Sequence, residues 1–336
     1  MSTSEAVLLQ ASESFTVTRG KTFKRLLRDR TAIIGLVIIV LVGAACLLAP
    51  MLAKHDPIAT DFSNRFASPS RAHPMGTDNV GRDVFSRILH GGRLSLGMAV
   101  SATAGITLIG LFLGLVAAVY GRVAETVIMR VVDVLLAMPT LILALVIVGL
   151  LGQGLRNLII TIILVQWPRY ARLVRGMALR IREQEFVEAA RAVGASRLRI
   201  MVRHIAPNLV GPLVVFSTID MGNTLLTVSG LSFLGFGVGP PTAEWGAMLA
   251  EARGFLDKAP QLLAFPGIAI TLMVLAFNLA GDGLRDLLDP RSVESTPGLE
   301  RRRLRRRKIK PTAELATSDN LPAMSHDAEA VSEVRP

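Results

Sequence analysis

The sequence predicts an all-α, polytopic membrane protein with six transmembrane helices, and three observations carry that expectation. Of its 336 residues, 51% are hydrophobic and only 19% charged, with a mean hydropathy of +0.49, which is a membrane composition. Apolar windows recur that are long enough to cross a hydrocarbon core of about 30 Å, for which roughly 20 residues suffice. The basic residues flank those windows, as the positive-inside rule arranges them.

Residues 1–30 read as a polar cytoplasmic tail ending in a basic anchor, and 31–52 as the first transmembrane helix. That run is too long and begins too late for a cleaved signal peptide. It holds the single cysteine, Cys46, so no disulfide framework or cysteine metal site is available. Residues 53–93 form an external segment. Within it Val84, Phe85, Ile88 and Leu89 share one face of an interfacial helix beginning near Gly81, with Arg82, Arg87 and Arg93 mostly on other faces.

Residues 94–290 make a core of five more spans. Windows 94–121, 134–155 and 259–281 are free of charge, and 205–243 carries one interior charge, Asp220. The weakest window, 157–168, spans only if Arg169, Arg172 and Arg175 snorkel toward headgroups. Pro139 should bend the third span, and Pro168, after Trp167, the fourth. Residues 291–336 form a basic tail with no apolar periodicity, expected to be disordered.

With the amino terminus inside, 28 of the 37 Lys and Arg fall in cytoplasmic segments, which places both termini in the cytoplasm. The formal charge of +11 does not point to nucleic acid, because no aromatic-rich basic surface accompanies it. No catalytic constellation emerges. The GKT within RGKT at 19–22 lacks the first glycine of a phosphate loop, since Phe15 stands there. His55, His73, His90, His204 and His326 are scattered without metal-ligand spacing, so no metal site is expected.

The most informative stretch is EFVEAARAVGASRLRIMVRHIAPN, 185–208, an arginine-rich segment between two apolar runs. Phe186, Ala189, Ala190 and Val193 recur at i, i+3, i+4 and i+7, one narrow apolar stripe on a short helix. Gly194 stands where a helix end wants φ > 0, Ser196 can cap the next helix, and Pro207 suits the start of the following span. A helix lying on the membrane surface fits the periodicity as well. The stripe is small for lipid anchoring and better suited to a protein groove.

That segment resembles the coupling motif of ABC-importer permeases: Glu188, Ala189, Ala190, Gly194 and Pro207 occupy matching positions, with His204 and Ala206 replacing the general motif's Ile and Leu. RHIAPN is similar to the RHILPN of the peptide branch, from which only Ala206 departs. MGTDNVGRDVFSRILHGGRLSLG (75–97), GLSFLGFGVGPPTAEWGAML (230–249) and NLAGDGLRDLLDPR (278–291) resemble the dipeptide/oligopeptide/nickel permeases, in particular the second, C-type subunit.

The resemblance implies a type I ABC importer permease with the MetI-like fold. It implies a homologous permease partner, two cytoplasmic ATPase subunits that hold the ATP and Mg²⁺, and a periplasmic or lipid-anchored substrate-binding protein, in a bacterial inner membrane. The chain itself would carry no cofactor and catalyse nothing. Peptide is the expected cargo, with nickel or another small solute as the alternative. A self-powered secondary transporter is the alternative of a different class, but such proteins usually carry paired intramembrane ionisable groups, and here Asp220 is essentially alone.

Asp220 costs about 2.5–3.5 kcal/mol to insert in lipid, so it should face protein or a wet cavity. With Asn223 and Thr224 it marks either the translocation path or a polar tie between helices. Asp282, Arg285, Asp286 and Asp289 read as an ion-pair cluster closing the last span.

Overall fold

The computed structural model describes residues 30–288, with side chains to Arg285. The tails at 1–29 and 289–336, including RGKT and Asp289, lie outside the described residues, as does the side chain of Asp286. The regular structure of the described residues is helical, apart from an isolated bridge between Thr77 and Asp83.

Helix α1 (Arg30–Leu47) leads into a turn at Ala49–Leu52 and then a non-helical segment containing one 3₁₀ turn, Phe62–Asn64. Helix α2 (Val84–Val119) is followed by α3 (Arg122–Ala137), α4 (Thr140–Leu151) and α5 (Leu155–Arg182). The short α6 (Glu185–Ala192) precedes α7 (Ala206–Phe233), then α8 (Trp245–Ala252) and α9 (Gln261–Leu288).

Helix α2, 36 residues and thus about 54 Å long, organises the molecule. Its start packs with the segments around 53–83 and 234–260, which form a cap, and its end meets the end of α5 and the segment after α6. The interface of α2 with α5 is the most extensive between helices, because Gly110 and Gly114 let the two backbones approach. A Cβ on Gly110 would stand 2.3 Å from Tyr170 Cβ, and one on Gly114 would stand 2.7 Å from the Ala171 carbonyl oxygen. Small residues four apart are the usual device for close helix contact in lipid. Three apolar clusters result: a large one around α2, α5 and α7, a second joining the cap to α9, and a small one between α3 and α5 at Val132, Trp167 and Ala171. Leu41, Leu108, Phe112, Leu141, Leu150 and Ile268 remain exposed, as a surface turned to lipid requires.

Four helical stretches are individually long and apolar enough to cross a membrane: α1, α2, residues 197–233 that include α7, and α9. The third expected span, 134–155, is not continuous. Helices α3 and α4 meet at 98°, because Pro139 has no N–H to continue the ladder and restricts Met138 to extended backbone. Taken as one broken span they make a fifth. Helix α5 has 28 residues, long enough at about 42 Å, but its second half carries Arg169, Arg172 and Arg175, so length and composition alone do not reach six.

Those arginines do not snorkel freely; each is paired. Arg169 Nη2 donates to Asp220 Oδ1 at 2.9 Å, Arg172 to Asp133, and Arg175 Nε to Glu125 Oε1 at 3.0 Å. Helix α5 also runs on through Pro168 without a break. The expected interfacial helix is the first three turns of α2, and Arg82 and Arg87 are buried together with Val84, Ile88 and Leu89. Asp282 and Arg285 are exposed and are not paired with each other; the other two members of the expected cluster, Asp286 and Asp289, have side chains outside the described residues.

Candidate functional site

Opposite the cap, α6 begins after extended Gln184 and carries Glu185 and Glu188 in its first turn, where carboxylates complement the helix dipole. One residue anchors it: Val187 is 0% exposed and belongs to the core beneath. The stripe predicted from periodicity lies on the outer side. Phe186 is 40% and Val193 85% exposed, Ala189 is exposed, and Ala190 half-buried.

The turn that follows has the predicted chemistry. Gly194 has φ +81°, and its N–H donates to the Arg191 carbonyl at 3.0 Å while that of Ala195 reaches Ala190 O at 3.0 Å. Ser196 Oγ accepts from Arg199 N–H at 3.3 Å. The chain then passes through a wide turn at Ile200–Ile205 directly into α7, with Pro207 in its first turn.

Together these segments enclose an open groove of about 550 Å³, lined by Phe186, Ala189, Ala190, Val193, Ala195, Arg199, Arg203 and His204. Its floor is apolar and one wall cationic. Glu188 lies on the exposed surface outside that lining. The element is fastened to the end of α2: Arg182 Nη1 donates to Ala118 O at 2.7 Å, and Arg197 Nη1 to Tyr120 O at 3.4 Å. Cations on the last carbonyls of a helix satisfy groups the helix cannot. A push on α6 would therefore reach α2 through two arginines and α7 through continuous helix.

The three path candidates separate. Asp220 is 2% exposed and held by Arg169, with Asn223 Nδ2 donating at 3.3 Å. Thr224 is fully buried, and its hydroxyl donates to the Asp220 carbonyl one turn back. Asn223 alone is exposed. Tyr170 lies beside the carboxylate and beside Ser217, and Thr107 Oγ1 is 3.0 Å from Ser217 Oγ. The geometry within this chain is that of a polar tie joining α2, α5 and α7.

At the cap, two of the motif segments prove to be one unit. Arg82 Nε donates to Asp78 Oδ2 and Arg82 Nη2 to Glu251 Oε2, both at 2.6 Å. Arg87, 1% exposed, donates to Glu251 Oε2 at 3.1 Å and to the Pro241 carbonyl at 3.1 Å. Glu244 caps α8 and accepts from Ser95 Oγ at 2.8 Å, while Trp245 Nε1 donates to Ile88 O at 2.9 Å. Sequence reasoning missed Glu251 and Glu244, whose partners lie about 150 residues away or more. The fold also brings together histidines that the sequence left scattered: His55 and His73 stack with centroids 4.7 Å apart, and His73 Nδ1 lies 2.9 Å from Asp83 Oδ1.

Comparison with known proteins identifies the family. Residues 110–294 match the family described as binding-protein-dependent transport system inner membrane component. Residues 19–69 match the N-terminal TM domain of oligopeptide transport permease C. The dipeptide transport system permease protein DppC of Alkalihalophilus pseudofirmus is 43% identical over 81% of this chain and 89% of its own. The nickel transport system permease protein NikC of Escherichia coli is 42% identical over 77% and 94%. The probable D,D-dipeptide transport system permease protein DdpC of the same species is 44% identical over 76% and 86%. A solved structure described as inward-facing conformations of the MetNI methionine ABC transporter shares the fold, with a TM-score of 0.50 over 60% of this chain and 97% of that one at 20% identity. With its membrane helices, its exposed groove and these relatives, the chain belongs to the family of binding-protein-dependent transport system inner membrane components, among the permeases of peptide and nickel transporters.

Proposed function

We propose that the chain is one of two homologous membrane subunits of an ATP-driven importer for dipeptides and oligopeptides, with the groove on α6 as the seat of an ATPase subunit. The observation that carries this is the apolar stripe Phe186, Ala189, Ala190 and Val193, left exposed on a helix whose opposite side is anchored by Val187. ATP and Mg²⁺ belong to two ATPase subunits on the cytoplasmic side, where both termini of this chain also lie. A substrate-binding protein delivers cargo to the cap side. Closure of the ATPase pair presses on α6, and the force passes through Arg182 and Arg197 to α2 and through residues 197–205 to α7. The two permeases rock, exposing the path alternately to either side.

The likeness to a nickel permease supports a second cargo, Ni²⁺ or its chelates. Uptake of isotopically labelled dipeptide, pentapeptide and Ni²⁺ by cells with and without the gene separates the readings. Loss of peptide uptake on deletion, restored by the gene but not beside a hydrolysis-dead ATPase, is the expected result. Loss of Ni²⁺ uptake alone replaces the cargo, and uptake that persists without any ATPase overturns the class.

A further inference from the structure

We infer that the cap carries a divalent transition-metal site formed by His55, His73 and Asp83. The three residues come from separate parts of the cap and converge at the start of α2. One ring nitrogen from each histidine and one carboxylate oxygen lie within 4.8 Å of one another. In a tetrahedral shell ligands bound at 2.0–2.1 Å stand about 3.4 Å apart, so closing the widest pair asks roughly 1.5 Å of movement at most. His55 is exposed and free to supply it.

The carboxylate is already arranged for two tasks. Asp83 Oδ2 accepts the Ser86 N–H at 2.8 Å and so caps α2, while Oδ1 turns to His73 Nδ1. Ligation through Oδ1 leaves the cap bond in place. The single His55 Nε2 contact with the Ala72 carbonyl, 3.0 Å, keeps that exposed ring near His73 and leaves its other nitrogen available. Two imidazoles and one carboxylate suit Zn²⁺, Ni²⁺ or Cu²⁺ and are poorly matched to Mg²⁺ or Ca²⁺, which prefer all-oxygen shells. With solvent on the His55 side, water completes the coordination. An ion there clips the segment carrying His55 and His73 to the amino terminus of α2, closing a loop that is otherwise held by hydrogen bonds. The site is independent of cargo and of the groove on α6.

The test uses the full chain in detergent, purified through a histidine-free tag and stripped with EDTA, with Zn²⁺ and then Ni²⁺ competed against a chromophoric chelator. The expected result is one Zn²⁺ per chain at micromolar affinity, weakened about tenfold or more by His55→Ala. Asp83→Asn keeps a capping side chain and should weaken binding by a similar factor with helix content unchanged. His326→Ala, on the carboxy-terminal tail, should leave binding intact. Zn²⁺ should raise the unfolding midpoint of the wild-type chain but not of His55→Ala. Absence of micromolar binding, or binding that survives both His55→Ala and Asp83→Asn, overturns the site.

Discussion

The two ends of α2 use the same residue types in opposite ways. At the cap, Arg82 and Arg87 are buried and share Glu251, with Asp78 accepting also from Arg82 and the Pro241 carbonyl from Arg87. At the other end, Glu185, Glu188, Arg191, Arg199 and Arg203 are exposed around an apolar groove. Buried charge is tolerated only when its partners are in place, so the cap is complete within one chain. The groove offers apolar surface and cations to something the chain lacks. One end is built for rigidity, the other for contact.

The comparison breaks first at Arg87. Replacing Arg87 with Ala leaves Glu251 with a single guanidinium and frees the Pro241 carbonyl, and a lost hydrogen bond to a charged group costs about 1.5–3 kcal/mol. Thermal unfolding in detergent should show a large fall in midpoint, against almost none for Arg191→Ala at the exposed end. Equal effects would mean the two ends are not built differently. Gly194→Val tests the exposed end. Nothing lies within 4 Å of a Cβ there, so the cost is the left-handed backbone alone, about 1–2 kcal/mol and more for a β-branched residue. The chain should reach the membrane at near-normal levels while ATP hydrolysis no longer drives uptake. Gly194→Asn, which tolerates φ > 0, should retain more. Coupling untouched by Val would remove the docking role.

Between the two ends lies Asp220. Its partner Arg169 is 43% exposed on its side chain, so Asp220→Ala leaves a cation that water can reach, and solvent screening keeps the stability loss near 1 kcal/mol or below. Uptake should fall while the amount of assembled protein holds. Adding Arg169→Ala distinguishes the roles: recovery of uptake marks a tie whose stranded charge did the harm, whereas no recovery points to a direct part in the path. Normal uptake by Asp220→Ala excludes both.

What could be read from sequence follows from this contrast. The groove was legible because its determinants are local: a 3.6-residue stripe from Phe186 to Val193, a glycine at a positive φ, a serine cap and a proline in the first turn of α7. The apolar windows were legible for the same reason. The cap was not, because Arg82 and Arg87 stand beside Val84 and Ile88 like the outer face of a surface helix, and Glu251 that buries them is more than 160 residues away. The ion pairs of Arg169, Arg172 and Arg175 were hidden likewise, their carboxylates lying on other helices 39 to 51 residues distant. Pro139 was visible, but whether it bends a span or breaks it by 98° is decided by packing around α3 and α4. His55 and His73, 18 residues apart, meet only through the fold of a loop whose one regular element is a single 3₁₀ turn.

The smallest expected effect sharpens the contrast within the cap itself. Asp61 lies on its exposed rim, where the Ser63 and Asn64 side chains, with the Ser63 N–H, donate to its carboxylate and hold its pKa below the ordinary 3.8. A carboxyl held low in the folded state contributes stability above its unfolded pKa, and that contribution disappears as pH falls through the folded value. Comparing Asp61→Ala with the parent chain should therefore show a small difference in unfolding midpoint at neutral pH that vanishes under acid. Because the group is fully solvated, the difference should stay far below that of Arg87→Ala. An effect of comparable size would show that the cap's rigidity extends to its rim and is not confined to the buried arginines.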